Sequence, residues 1–140
     1  MNTYQILIEY VGTNFSGWQI QKNGLTVQAV IQKCLNKILK EKILVFGSGR
    51  TDSGVHATGQ SAHFKTKILI QKKENFLKSL NYFLSKYEVS IKGIKKRESL
   101  FHARHSARKR EYRYIIINRP ASLSLEKNRA WHVRKKLNIN

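Results

Sequence analysis

The chain has one cysteine, one proline and eight acidic residues, and each scarcity removes a class of explanation. A single thiol, Cys34, excludes an intrachain disulfide and a thiolate zinc site. Its place among apolar residues at helical spacing predicts a buried, unreactive side chain. No apolar run is long enough to cross a membrane, and the first residues, Met1-Asn2-Thr3-Tyr4-Gln5, lack the charged and apolar regions of a secretory leader. A cytoplasmic protein is therefore expected. The lone proline, Pro120, marks the start of a connection rather than a strand interior.

What the chain has in excess is positive charge. Against eight acids stand 27 lysines and arginines, for a formal net charge of +19 over 140 residues. Cations at that density repel one another unless a polyanion or bulk salt offsets them, so nucleic acid is the predicted partner. The clustering sharpens this. Arg104, Arg108, Lys109, Arg110 and Arg113 fall close together and are interleaved with Tyr112 and Tyr114, which places phosphate contacts beside base-stacking surfaces. His56, His63, His102, His105 and His132 follow no metal-ligand spacing, so no metal is expected and these side chains read as packing or RNA-facing.

The hydrophobic pattern predicts one α+β domain, since a chain of this size buries roughly two thirds of the surface it exposes when unfolded. Tyr4, Ile6, Ile8 and Tyr10 alternate as one face of a strand. Val27, Val30, Ile31, Cys34, Leu35, Ile38 and Leu39 recur at helical spacing behind a Thr26 N-cap, which predicts a helix from Val27 to Lys40. Ile43 to Phe46 and Gly59 to Lys65 read as strands on either side of a turn, Phe76 to Leu84 as a second helix and Val89 to Ile94 as a strand. That order, strand, helix, strand, strand, helix, strand, is the split βαβ pattern of ferredoxin-like folds, a βαββαβ sheet with helices on one face. Beyond it, Ser106 to Asn118 reads as a long strand and Ala130 to Val133 as its returning partner, an additional β-hairpin extending the sheet. On that strand Arg108, Arg110, Tyr112 and Tyr114 would share one face.

The densest chemical signal is Gly49 to Gln60, Gly-Arg-Thr-Asp-Ser-Gly-Val-His-Ala-Thr-Gly-Gln. It sets the carboxylate of Asp52 two positions after Arg50 on a glycine-punctuated loop. A guanidinium within a few ångströms stabilises the ionised carboxylate, so Arg50 is expected to pair with Asp52 and keep it anionic. Such an anion serves as a nucleophile, a general base, or half of a structural ion pair. Spacing alone leaves all three open.

With its flanks, Phe46 to Phe64, this loop resembles the signature of the tRNA pseudouridine synthase A family, isomerases that act on uridine in the anticodon arm of tRNA. Three further blocks resemble the family in the same order. They are Tyr10-Val11-Gly12-Thr13-Asn14-Phe15-Ser16-Gly17-Trp18-Gln19, then Thr26-Val27-Gln28, then Phe101-His102-Ala103-Arg104-His105-Ser106-Ala107 with Tyr112-Arg113-Tyr114. The resemblance implies that residues 1–140 form a single N-terminal catalytic half-domain, the C-terminal half being absent. It implies Asp52 as nucleophile, Arg50 as its ion-pair partner, and Tyr112, Arg104, His56 and Arg110 as substrate-binding residues. It also implies that no cofactor is needed, that the substrate is the anticodon arm, and that a second copy or a complementary C-terminal half completes the cleft. Val11, Ser53 and the Leu84-Ser85 pair depart from the family pattern, and Ser53 places a hydroxyl next to Asp52, where it can hydrogen-bond the carboxylate. Two other classes stand beside the enzyme: a non-catalytic basic RNA-binding fragment of the same family, and a basic structural protein of a ribonucleoprotein.

Overall fold

The computed structural model describes residues 1–139, which divide into two compact units, one ending at Arg108 and one beginning at Lys109. In the first unit the order is β1 (Asn2–Tyr10), α1 (Val27–Leu39), β2 (Val45–Gly47), β3 (Ala57–Thr66), α2 (Lys73–Leu84), a short 3-10 turn and β4 (Val89–Arg97). The four strands form one sheet in the order β2-β3-β1-β4, with every neighbouring pair antiparallel. This is the expected ferredoxin-like α+β arrangement.

Alternation along β1 decides where the core lies. Tyr4, Ile6, Ile8 and Tyr10 are buried on one face, while Leu7 and Glu9 on the other are exposed. Both helices bury their apolar stripes in the same cluster: Val27, Val30, Ile31, Leu35 and Leu39 from α1, Phe76, Leu80 and Leu84 from α2. The helices therefore cover one face of the sheet and leave the other open. Cys34 lies in that core, and burial pushes its thiol pKa up against the pull of Lys86, Lys33 and Lys37. Among the described residues no helix is long and apolar enough to cross a membrane.

The start of α1 is tied down with unusual completeness. Thr26, extended and buried, accepts the Ala29 N–H on its hydroxyl at 3.4 Å. The N–H groups of Val27 and Gln28, which a helix cannot satisfy internally, donate to the carbonyls of Gly17 and Trp18 at 3.2 and 3.1 Å. At its other end Lys40 turns left-handed, φ 52°, so the helix stops one residue before the expected boundary. Ile43 does not begin β2 either. Its N–H goes to Asn36 Oδ1 at 2.7 Å, so an α1 side chain takes backbone that the sequence assigned to a strand, and Val45, where β2 does begin, gives its own N–H to Gln32 Oε1 at 2.9 Å.

The second unit corrects the expected hairpin. Its strands are β5 (Ile116–Asn118) and β6 (Trp131–Val133), a two-stranded parallel sheet separate from the first. A parallel pair cannot be a hairpin, and here the crossover is the 119–130 connection that Pro120 enters. Residues 107–115 form no strand, because alternation supplies faces but not the neighbouring backbone that a ladder needs. The charges there pair locally instead: Arg113 reaches Glu111 at 2.9 Å and Lys109 reaches it at 3.5 Å, holding the Glu111 carboxyl below its usual range.

Because Thr26 holds both a hydroxyl cap and a buried position, Thr26→Ala is expected to cost about 1–2 kcal/mol in urea unfolding, while Thr26→Ser, which keeps the acceptor, should retain most of the stability. Equal losses in both variants would show that the methyl group, not the cap, matters.

Candidate active site

Asp52, the only aspartate in the chain, sits on the loop 48–56 that joins β2 to β3, the turn position the sequence predicted for it. Its carboxylate and the Arg50 side chain are both exposed. The backbone beneath them is not free. The Thr51 carbonyl accepts the Trp18 N–H at 3.0 Å, the Phe15 carbonyl accepts the Gly54 N–H at 3.3 Å, and the Asp52 carbonyl closes a turn onto the Val55 N–H at 3.1 Å. The Tyr10 hydroxyl meets the Thr51 hydroxyl at 2.8 Å, and Gln60 on β3 donates to the Gly49 carbonyl at 2.6 Å.

The supporting segment, residues 10–18, explains its own glycines. A Cβ at Gly17, whose φ is +84°, would stand 2.6 Å from the Thr51 carbonyl oxygen, and one at Gly12 would collide with the Val55 carbonyl. Gln28 extends the support into α1. Its buried amide accepts the Ile20 N–H at 2.8 Å and donates to the Val45 carbonyl at 2.7 Å, linking the segment to β2. The Thr26-Val27-Gln28 block is thus a brace for the Asp52 loop as well as a helix start.

Several expected contacts differ. Among the described residues no ion pair joins Arg50 to Asp52; both side chains face water, where an exposed pair gains at most about 1 kcal/mol and holding two side chains together costs entropy. The Ser53 hydroxyl turns to the Phe15 carbonyl at 3.1 Å rather than to the Asp52 carboxylate. His56, expected to bind substrate, accepts the Gly12 N–H on Nδ1 at 2.8 Å, a contact that ties it to the segment supporting the loop. Arg104 is exposed on a turn of the first unit, while Arg110 and Tyr112 are exposed in the second, Tyr112 at 61 %.

A cluster on the open sheet face escaped the sequence reading, which gave its histidines no more than a general packing or RNA-facing part. His63 on β3 is 2 % exposed, and its Nδ1 accepts the Ala103 N–H at 3.1 Å. Its ring stacks on Phe46 at 5.2 Å, meets Phe101 edge-on at 5.9 Å and contacts His102 at 4.6 Å; His102 in turn lies 4.4 Å from His105. Arg97 lies over Phe101 at 5.0 Å. Burial above all, then His102 and Lys65, lowers the His63 pKa to about 4, against a hydrogen bond with the Phe46 backbone that raises it. His102 is lowered too, first by burial and then by His105, Arg104 and Lys65. Among the described residues no group of three or more His, Cys, Asp or Glu side chains could hold a metal ion.

The sign of the His63 effect follows from its depressed pKa. Between pH 6.5 and about 4 the unfolded chain takes up a proton that the folded chain refuses, so acidification through that window removes stability, up to about 3 kcal/mol in all. Urea unfolding of wild type and His63→Gln across the window should diverge by roughly that amount as pH falls. Parallel curves would mean that His63 is not a buried neutral group.

Comparison with known proteins bears on the same residues. The sequence profile of a family described as tRNA pseudouridine synthase matches residues 6–106, a span that holds the supporting segment, the Asp52 loop and the His63 cluster. The chain is 57% identical over 139 residues to a tRNA pseudouridine synthase A of Pelagibacter ubique, covering 99% of this chain and 56% of that protein. It is 47% identical over 139 residues to the tRNA pseudouridine synthase A of Ruminiclostridium cellulolyticum, with the same two coverages of 99% and 56%. To that of Ehrlichia ruminantium it is 42% identical over 139 residues, covering 97% of this chain and 55% of the relative. The chain therefore spans about half the length of the curated relatives it matches, and within that span it belongs to the tRNA pseudouridine synthase family.

Proposed function

We propose that this chain carries the aspartate-bearing half of a tRNA pseudouridine synthase that isomerises uridine to pseudouridine in the anticodon stem-loop. The observation that supports this most is the Asp52 loop: the only aspartate in the chain, exposed, on a backbone fixed from two sides, in a chain that belongs to this family. A reacting group on a fixed support is already near its working geometry, and that removes ordering cost from the chemical step.

The reaction breaks the bond between uracil N1 and ribose C1′, turns the ring, and forms a bond from C5 to C1′, while C5 loses a proton and N1 gains one. It is redox-neutral. Asp52 is the nucleophile in this reading. The target nucleotide leaves its stack to reach it, which costs about a few kcal/mol. Tyr112 offers a ring to the extruded base. Arg50, with a planar fork of donors and no ion pair to Asp52 in this structure, suits the phosphate displaced by that motion. Arg104 and Arg110 add backbone contacts, and His56 acts by holding the loop. A second copy or a complementary C-terminal half encloses the site, and the working place is the cytoplasm.

The exposure of Asp52 favours a second reading, RNA binding without turnover by this chain alone. An oxyanion in bulk water lacks the preorganised surroundings that usually supply the largest share of catalysis.

Because C5 loses its hydrogen, tritium release from tRNA transcripts labelled at uridine C5 reports turnover. Release is expected from this chain supplied with the C-terminal half of a relative, and Asp52→Asn should abolish it while changing RNA affinity less than about threefold, since it removes one charge of like sign to the phosphates. Equal release from wild type and Asp52→Asn would end the nucleophile reading. Silence of both, with affinity that falls as salt rises, would leave the RNA-binding reading in its place.

A further inference from the structure

The His63 cluster spans two parts of the molecule that the proposed function uses separately. On one side lies β2, which runs straight into the Asp52 loop. Its Phe46 is the register partner of His63 across the β2–β3 ladder, and the two rings stack with planes 23° apart. On the other side lies the Phe101–Ser106 turn, which carries Arg104. That turn is closed by the Ser106 N–H on the His102 carbonyl at 2.8 Å and by the Arg104 N–H on His102 Nδ1 at 3.3 Å. It touches the sheet through Ala103, 2 % exposed, whose N–H ends on His63 Nδ1.

This contact needs an acceptor, which the neutral imidazole supplies. An apolar side chain in the same space would leave the Ala103 N–H buried and unsatisfied, and a protonated ring would present a donor to a donor. The turn is steadied at its edges by Lys65 Nζ on the Ser99 carbonyl at 3.0 Å and by Arg97 over Phe101, with Arg97 Nε held by Gln5 Oε1 at 2.7 Å. Those contacts grip residues 97–101, on the N-terminal side of Ala103. His63 grips the residue next to Arg104.

We propose that His63 is a positioning residue that holds the Arg104 turn in register with β2, so that an RNA phosphate bound by Arg104 keeps a fixed relation to the Asp52 loop. This rests on the reading that the chain binds tRNA. It adds a residue that meets no substrate and acts through the backbone of its neighbour.

The test uses this chain and an unmodified tRNA transcript, with affinity measured over a range of salt. Arg104→Gln is expected to lower the slope of log affinity against log salt by about one, as loss of one phosphate contact should. His63→Phe keeps a ring against Phe46 but loses the acceptor, and is expected to lower the slope by the same amount. The double variant should lose no more than either single one, because both changes remove one contact. His63→Gln, whose amide oxygen can accept the Ala103 N–H, should restore the slope. A folded His63→Phe chain with the wild-type slope, beside an Arg104→Gln chain that has lost it, overturns the positioning role and leaves RNA binding intact. An unchanged slope in Arg104→Gln overturns the phosphate contact itself, and the proposal with it. Should the larger ring prevent folding, His63→Leu gives the same comparison.

Discussion

The arrangement depends on one backbone-to-backbone seam, in which the segment from Tyr10 to Trp18 satisfies the donors and acceptors of the loop that carries Asp52. The loop has little apolar surface of its own, so its shape comes from hydrogen bonds, and these are spent on a neighbour that is itself fixed. The Gly17 and Trp18 carbonyls accept the first free N–H groups of α1, and the Gln28 amide returns from α1 to β2. A loop that reads as flexible because it is rich in glycine is therefore held at several points. The close backbone approaches fall at Gly12 and Gly17 of the supporting segment, while Gly54 in the loop itself serves its turn through a left-handed φ of +79°.

Charge is organised around the same place. The chain is strongly cationic, and between Glu41 and Glu74 Asp52 is the only acid. An anion isolated in this way is not neutralised by a neighbour in the described structure; Arg50 faces water instead. A net charge of +19 raises the local concentration of a polyanion around the chain as a whole.

Much of the fold was legible because it is local. Period-two alternation in β1, the 3.6-residue stripe of α1 and the Thr26 cap each follow from a few adjacent residues, and the strand order of the first unit followed from them. The Asp52 loop stood out through composition. What could not be read were pairings across distance. Nothing near His56 announces that it will meet Gly12, and nothing near His63 announces Ala103, because each partnership exists only once the sheet has formed. The stretch from Ser106 to Ile115 misled for the opposite reason. Its alternation was genuine, but a strand is defined by a partner, and the partner of β5 runs parallel after a long connection. The one usable hint for His63 was its position among alternating residues on β3, opposite the buried Ala62 and Phe64 yet on a face that β1 leaves polar.

Cys34 gives the molecule a silent reporter. As the only sulfhydryl, on α1 and 6 % exposed within the core cluster, it is freely reached by a solvent reagent when the helical layer opens. The rate at which a thiol dye labels the untouched wild-type chain therefore clocks that opening, and since α1 anchors the brace under Asp52, the clock also registers how often the Asp52 loop loses its footing.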